Sequence, residues 1–130
     1  IFCKIVAGEI PCHKVYEDDV ALAFLDIKPN AMGHTVVIPK VHGERISDLD
    51  DEVVKKVIIS TKKTMSLLQG KLHPDGFNVG WNDGTAAGQV VPHLHIHIMP
   101  RWNNDGGGSQ HSIVNDPGSK SVEEVAELFR

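Results

Sequence analysis

Pro92-His93-Leu94-His95-Ile96-His97-Ile98-Met99-Pro100 is the stretch whose reading decides the fold. Histidines alternate with aliphatic residues, and a β-strand is the regular structure whose side chains repeat every two positions. The spacing predicts a strand over Gln89–Met99 with Leu94, Ile96 and Ile98 in a core and the three imidazoles on the opposite face. Binary patterning this strict is not that of an ordinary solvated face. With a rise of about 3.3 Å per residue, His93 and His97 lie about 13 Å apart along such a strand. A Zn–N bond is about 2.0–2.1 Å, so the strand cannot close all three rings on one ion. A two-histidine metal site completed from elsewhere remains open, as does an imidazole acting itself as nucleophile or acid–base.

Working outward, Ile1 to Gly8 reads as a short helix with a glycine stop. His13–Glu17 and Val20–Ile27 read as a hairpin turned at Asp18-Asp19, and His34–Ile38 as a third strand closed by Pro39. Val53, Val57, Thr61, Met65, Leu68 and Leu72 recur at helical intervals behind Asp50-Asp51-Glu52, predicting one long helix over about 50–71. Phe77–Asn82 is a further strand, 83–88 a flexible connection, 103–120 a glycine-bearing mobile loop, and Ser121-Val-Glu-Glu124 the capping box of a helix over 121–130. The expected class is α+β: one domain over 1–130, with about five antiparallel strands, one long helix, and short terminal helices. That long helix covers one sheet face, and the histidines occupy the other.

The net charge of −4, from 13 basic and 17 acidic residues, argues against a nucleic-acid backbone as partner. Two cysteines, Cys3 and Cys12, make no disulfide framework. With no leader pattern and no run of 18 apolar residues, the expectation is a cytoplasmic protein without a membrane partner.

The chain resembles the histidine-triad (HIT) family, in particular its nucleotide-binding proteins of bacterial type. The resemblance rests on His93-Leu-His-Ile-His-Ile-Met99 together with Phe2–Pro11, Val15–Asp19, Ala23–Ile27, Gly33–His42 and Gly88-Gln89. It implies a homodimer of α+β protomers, a purine-nucleotide pocket, and hydrolysis or transfer at the α-phosphate of AMP conjugates such as nucleoside phosphoramidates. Carried over by position, His95 is the nucleophile, His97 and His34 line the phosphate site, and His93 supports the strand. Asp26 and Ile27 hold the ribose, while Asn82 and Gln89 offer amides to ribose or phosphate oxygens. The alternatives are a nucleotide-binding or interaction protein with weak turnover, and a dinucleoside polyphosphate hydrolase.

Val90 departs from the pattern, because several members carry Ser or Thr after the Gly-Gln pair. Its hydrocarbon can neither bind phosphate nor protonate a leaving group. No cofactor is required by the expected chemistry. Some relatives nevertheless bind structural zinc, and Cys3, His42 and His93 match their ligand positions; the other reading is that Cys3 is a small buried hydrophobe. Lys40 and Arg101 could steer an anion, whereas His13, His73 and His111 read as solvated and Trp81 and Trp102 as packing residues.

Overall fold

A computed structural model describes residues 1–130. Its elements are α1 (Phe2–Val6), β1 (Lys14–Glu17), β2 (Ala21–Leu25), β3 (Thr35–Pro39), α2 (Asp51–Leu72), β4 (Gly76–Gly80), β5 (Ile96–Arg101) and α3 (Val122–Glu127). The strands form one antiparallel sheet in the order β1-β2-β3-β5-β4. Strand β5 therefore lies inside the sheet, between β3 and β4, and Val36 pairs with His97. The α+β class and the five strands are as the sequence predicts.

Helix α2 begins with Asp51 and Glu52 in its first turn, where the helix dipole favours acid. Its buried face includes the small side chains Ser60, Thr61 and Thr64, of which Thr61 and Thr64 donate their hydroxyls to the carbonyls of Val57 and Ser60 at 2.9 and 2.8 Å. The helix ends at His73 in the left-handed region, φ 53°, and Pro74 prevents its continuation. Val57 and Leu68 pack on Ala21, Ala23, Val37, Ile96 and Ile98, forming the core on one sheet face.

The opposite face departs from the expected arrangement. Strands β2 and β3 are buried on both sides, which requires cover on both. Leu22, Phe24, Val36 and Ile38 form a second apolar cluster, against which Phe2, Ile5, Val6 and Cys12 pack. Helix α1 thus roofs part of the histidine face.

The ladder of β5 also begins later than the predicted Gln89, at Ile96. Its last partner on β3 is Val37, two residues before Pro39, which has no N–H to donate. His93 to His95 approach in non-ladder conformation, with Leu94 N–H donating to Gly43 C=O at 2.7 Å.

Beyond β5, Arg101 donates to Asn78 Oδ1, Asp105 and the Gly108 carbonyl, linking β4 to the glycine-bearing segment. Ser121 and Glu124 form the capping box of α3. Val122, Leu128 and Phe129 remain exposed.

The hairpin between β1 and β2 is closed by Asp18. Tyr16 and Ser60 donate hydroxyls to its Oδ2 at 2.9 and 2.6 Å, and the amides of Val20 and Ala21 each donate to Oδ1 at 2.8 Å. Burial alone would raise this carboxyl's pKa, but the bonds from Ser60, Val20, Ala21 and Tyr16 outweigh it and lower the pKa to about 2. The folded pKa lies below the unfolded value of about 3.9, so the contribution is complete above that value and lost as pH falls toward 2. Asp18→Ala is expected to cost about 2 kcal/mol at pH 7 by urea unfolding. Its deficit relative to the native chain should shrink as pH falls through this window; a deficit independent of pH would contradict the role of the ionised carboxylate.

Candidate active site

The imidazole of His95 turns back toward the carbonyl of His93, and Nδ1 lies 2.7 Å from that oxygen. A carbonyl only accepts, so Nδ1 of His95 carries the proton and Nε2 holds a lone pair. Phe2 meets this ring edge-to-face at 5.1 Å, and the same phenyl group meets His93 at 5.9 Å and Phe24 at 5.8 Å. The sequence signal for Phe2 is the apolar face of α1, which needs a surface to cover.

His97 follows on the same side, with ring centroids 5.0 Å from His95 and 5.1 Å from His34. Its protonation pattern follows from a fixed donor. The Asn30 backbone N–H donates to His34 Nδ1 at 3.1 Å, so neutral His34 carries its proton on Nε2. That nitrogen lies 2.9 Å from His97 Nδ1 and donates to it, leaving the proton of His97 on Nε2. Burial, the neighbouring His95 and His34 lower the pKa of His97 to about 4, against a smaller opposing effect of Asp26. Burial likewise lowers the pKa of His34, with Asp26 opposing it. Both rings are therefore neutral at pH 7.

The remaining expected ligand contacts fall into two groups. Asp26 accepts from the Lys28 amide through Oδ1 at 2.8 Å, and its Oδ2 stands 3.8 Å from His34 Nε2. Ile27 beside it is 83% exposed, available to a ligand. Asn82 borders a cleft together with His97, Met99, Trp81 and Trp102. Gln89, by contrast, is buried and committed inside the protein: Oε1 accepts from Gly84 N–H at 2.8 Å, while Nε2 donates to the Glu44 and Val91 carbonyls at 2.7 and 3.1 Å. Its amide organises the 84–91 loop. Val90, next in that loop, is 88% exposed.

His93 faces away toward a second cluster. Its Nε2 lies 2.9 Å from the Pro39 carbonyl and donates to it, leaving a lone pair on Nδ1. That atom is 3.2 Å from His42 Nδ1 and 3.7 Å from Cys3 Sγ, and the Cys3–His42 distance is 3.5 Å. Tetrahedral zinc, with Zn–N of about 2.0–2.1 Å and Zn–S of about 2.3 Å, would set nitrogens about 3.3 Å apart and nitrogen–sulfur pairs about 3.6 Å apart. The donor types and separations fit the ion.

The hydrogen-bond directions predict four tautomers. Long-range proton–nitrogen NMR at pH 7 should find His34, His93 and His97 protonated on Nε2 and His95 on Nδ1, with His97 staying neutral until the pH nears 4. An Nε2-protonated His95 would overturn the assignment.

The chain is similar to known proteins along most of its length. The HIT domain family matches residues 7–104. An uncharacterised HIT-like protein of Methanocaldococcus jannaschii is 51% identical over 106 residues, 82% of this chain and 81% of its own length. An adenosine 5'-monophosphoramidase of Schizosaccharomyces pombe is 43% identical over 107 residues, 82% of this chain and 77% of its own. The crystal structure of a HIT family protein from Bacillus subtilis superposes with a TM-score of 0.85 at 40% identity, covering 99% of this chain and 91% of the other. With three alternating histidines leading into the central strand β5 and this likeness along most of its length, the chain belongs to the HIT domain family.

Proposed function

We propose that the protein is a nucleotide-binding hydrolase or transferase that cleaves AMP conjugates at the α-phosphate through a nucleotidyl-histidine on His95. The observation that carries this reading is the 2.7 Å bond from His95 Nδ1 to the His93 carbonyl, which leaves Nε2 free to attack. That lone pair forms the N–P bond as the bond from phosphorus to the leaving group breaks. Water then attacks phosphorus, the N–P electrons return to Nε2, and AMP departs.

His97 Nε2–H and the Asn82 amide suit the phosphoryl oxygens, and the Asp26 carboxylate suits ribose hydroxyls. His34 fixes His97 in its donating form. The monophosphoramidase named among the relatives supports AMP conjugates as the substrate class. Exposed Val122, Leu128 and Phe129 support the homodimer that the family likeness implies. A nucleotide-binding protein with weak turnover is the second reading, favoured by the hydrocarbon at Val90.

We also propose that Cys3, His42 and His93 hold a structural zinc ion. Bound there, the ion would tie α1 to the loops bearing His42 and His93 and take no part in the transfer.

His95→Ala should lower AMP release at least about 10³-fold while calorimetry still detects AMP binding; an unchanged rate would sink the mechanism. Elemental analysis should find zinc bound in the native protein and lost in Cys3→Ala, with a lower melting temperature. Equal metal content in both proteins would remove the site.

A further inference from the structure

Helix α1 is held to the sheet by two unlike contacts, and adjacent residues lead them. The first is apolar: Phe2, Ile5 and Val6 pack on the second core cluster, and the Phe2 ring meets Phe24, His93 and His95 edge-to-face with centroids 5.8, 5.9 and 5.1 Å away. The second belongs to Cys3, whose Sγ lies 3.5 Å from His42 Nδ1 and 3.7 Å from His93 Nδ1. The helix has five residues, none of them fully buried, and no side-chain cap at Ile1. A helix this short does not persist in water alone, so its place depends on what it packs against or is tied to.

The two histidines of the cluster have other anchors. His93 Nε2 donates to the Pro39 carbonyl at 2.9 Å, and Leu94 N–H donates at 2.7 Å to the carbonyl of Gly43, next to His42. Of the three donors, Cys3 is the one carried on an element without such a bond to the sheet. A tie at Cys3 therefore acts chiefly on α1, and through α1 on Phe2.

The effect reaches the reactive ring. The bond from His95 Nδ1 to the His93 carbonyl fixes the ring along one direction and leaves it free to tilt about that bond. Neighbouring rings oppose the tilt: Phe2 and His97 meet His95 at 5.1 and 5.0 Å, with interplanar angles of 70° and 69°. Edge-to-face contact is directional, and a misplacement of about 1 Å at a reacting atom can cost about 10²-fold in rate.

We infer that Phe2 is a positioning residue for His95, and that through it retention of zinc at Cys3, His42 and His93 is coupled to nucleotide binding at His95. The inference rests on the nucleotide and zinc sites proposed for this chain. Phe2 does not touch the reacting atoms; it narrows the range of the ring that does. Whichever ligand orders Phe2 first reduces the ordering left for the other, and linkage makes the effect reciprocal.

The test starts from the zinc-loaded protein. Zinc is withdrawn with graded concentrations of a chromophoric chelator, with and without saturating AMP, and AMP binding to the loaded protein is measured by calorimetry. In the native protein AMP should tighten zinc at least about fivefold, the lower end of typical coupling between sites. In Phe2→Leu, which keeps apolar cover but lacks the ring, zinc and AMP should both still bind while that factor falls toward one. Turnover of an AMP conjugate by the zinc-loaded variant should show kcat lowered about tenfold or more, with KM changed less than about threefold.

Zinc retention that is indifferent to AMP in the native protein would overturn the inference while leaving both sites intact, as would an unchanged factor in Phe2→Leu. Failure of the native protein to bind zinc, or to bind AMP, would overturn the reading of that site and the inference with it.

Discussion

The bond from His95 Nδ1 to the main-chain oxygen of His93 is the contact on which the site depends. Leaving a buried N–H unpaired costs about 1–3 kcal/mol, so this carbonyl biases the imidazole toward one tautomer by a comparable amount. The main-chain path through His93–His95 sets where that oxygen lies. That conformation is secured on both sides: Leu94 N–H bonds to Gly43, and His93 Nε2 bonds to Pro39 at the end of β3. The apolar cores on the two sheet faces then fix β2, β3 and β5 relative to one another.

His93 consequently has two separate duties. Its carbonyl orients the reactive ring, while its own ring points at Cys3 and His42. Helix α1 reaches both places, because Phe2 lies against His93 and His95 and Cys3 joins the sulfur–nitrogen cluster. The row from Asn30 through His34 to His97 is a third constraint, built entirely from neutral groups. Three histidines that look equivalent as residues are made different by the acceptor or donor each one meets.

Much of this was legible in the sequence because it follows from local periodicity. The two-residue alternation from Ile96 to Met99, the helical spacing from Val53 to Leu72, the Asp18-Asp19 turn and the Ser121–Glu124 box all report structure formed among near neighbours. The rest is long-range. Cys3 and His93 are 90 positions apart, and no local pattern states that α1 crosses back over the histidine face. The start of β5 at Ile96 depends on Pro39 of β3, which has no N–H to pair with, and the occupation of the Gln89 amide depends on Glu44, 45 residues away. Residue type identifies a histidine as capable of attack, but only its hydrogen-bond partner says which nitrogen is free.

The central claim is that a covalent nucleotidyl group passes through His95 Nε2. Its most direct test is rapid acid-free quenching of the protein with an AMP conjugate, followed by peptide mass spectrometry and phosphorus NMR of the trapped adduct. The account predicts an adenylyl group on the peptide bearing His95, with phosphorus bonded to Nε2. An adduct on another residue, or AMP release with no covalent species during turnover, would contradict it.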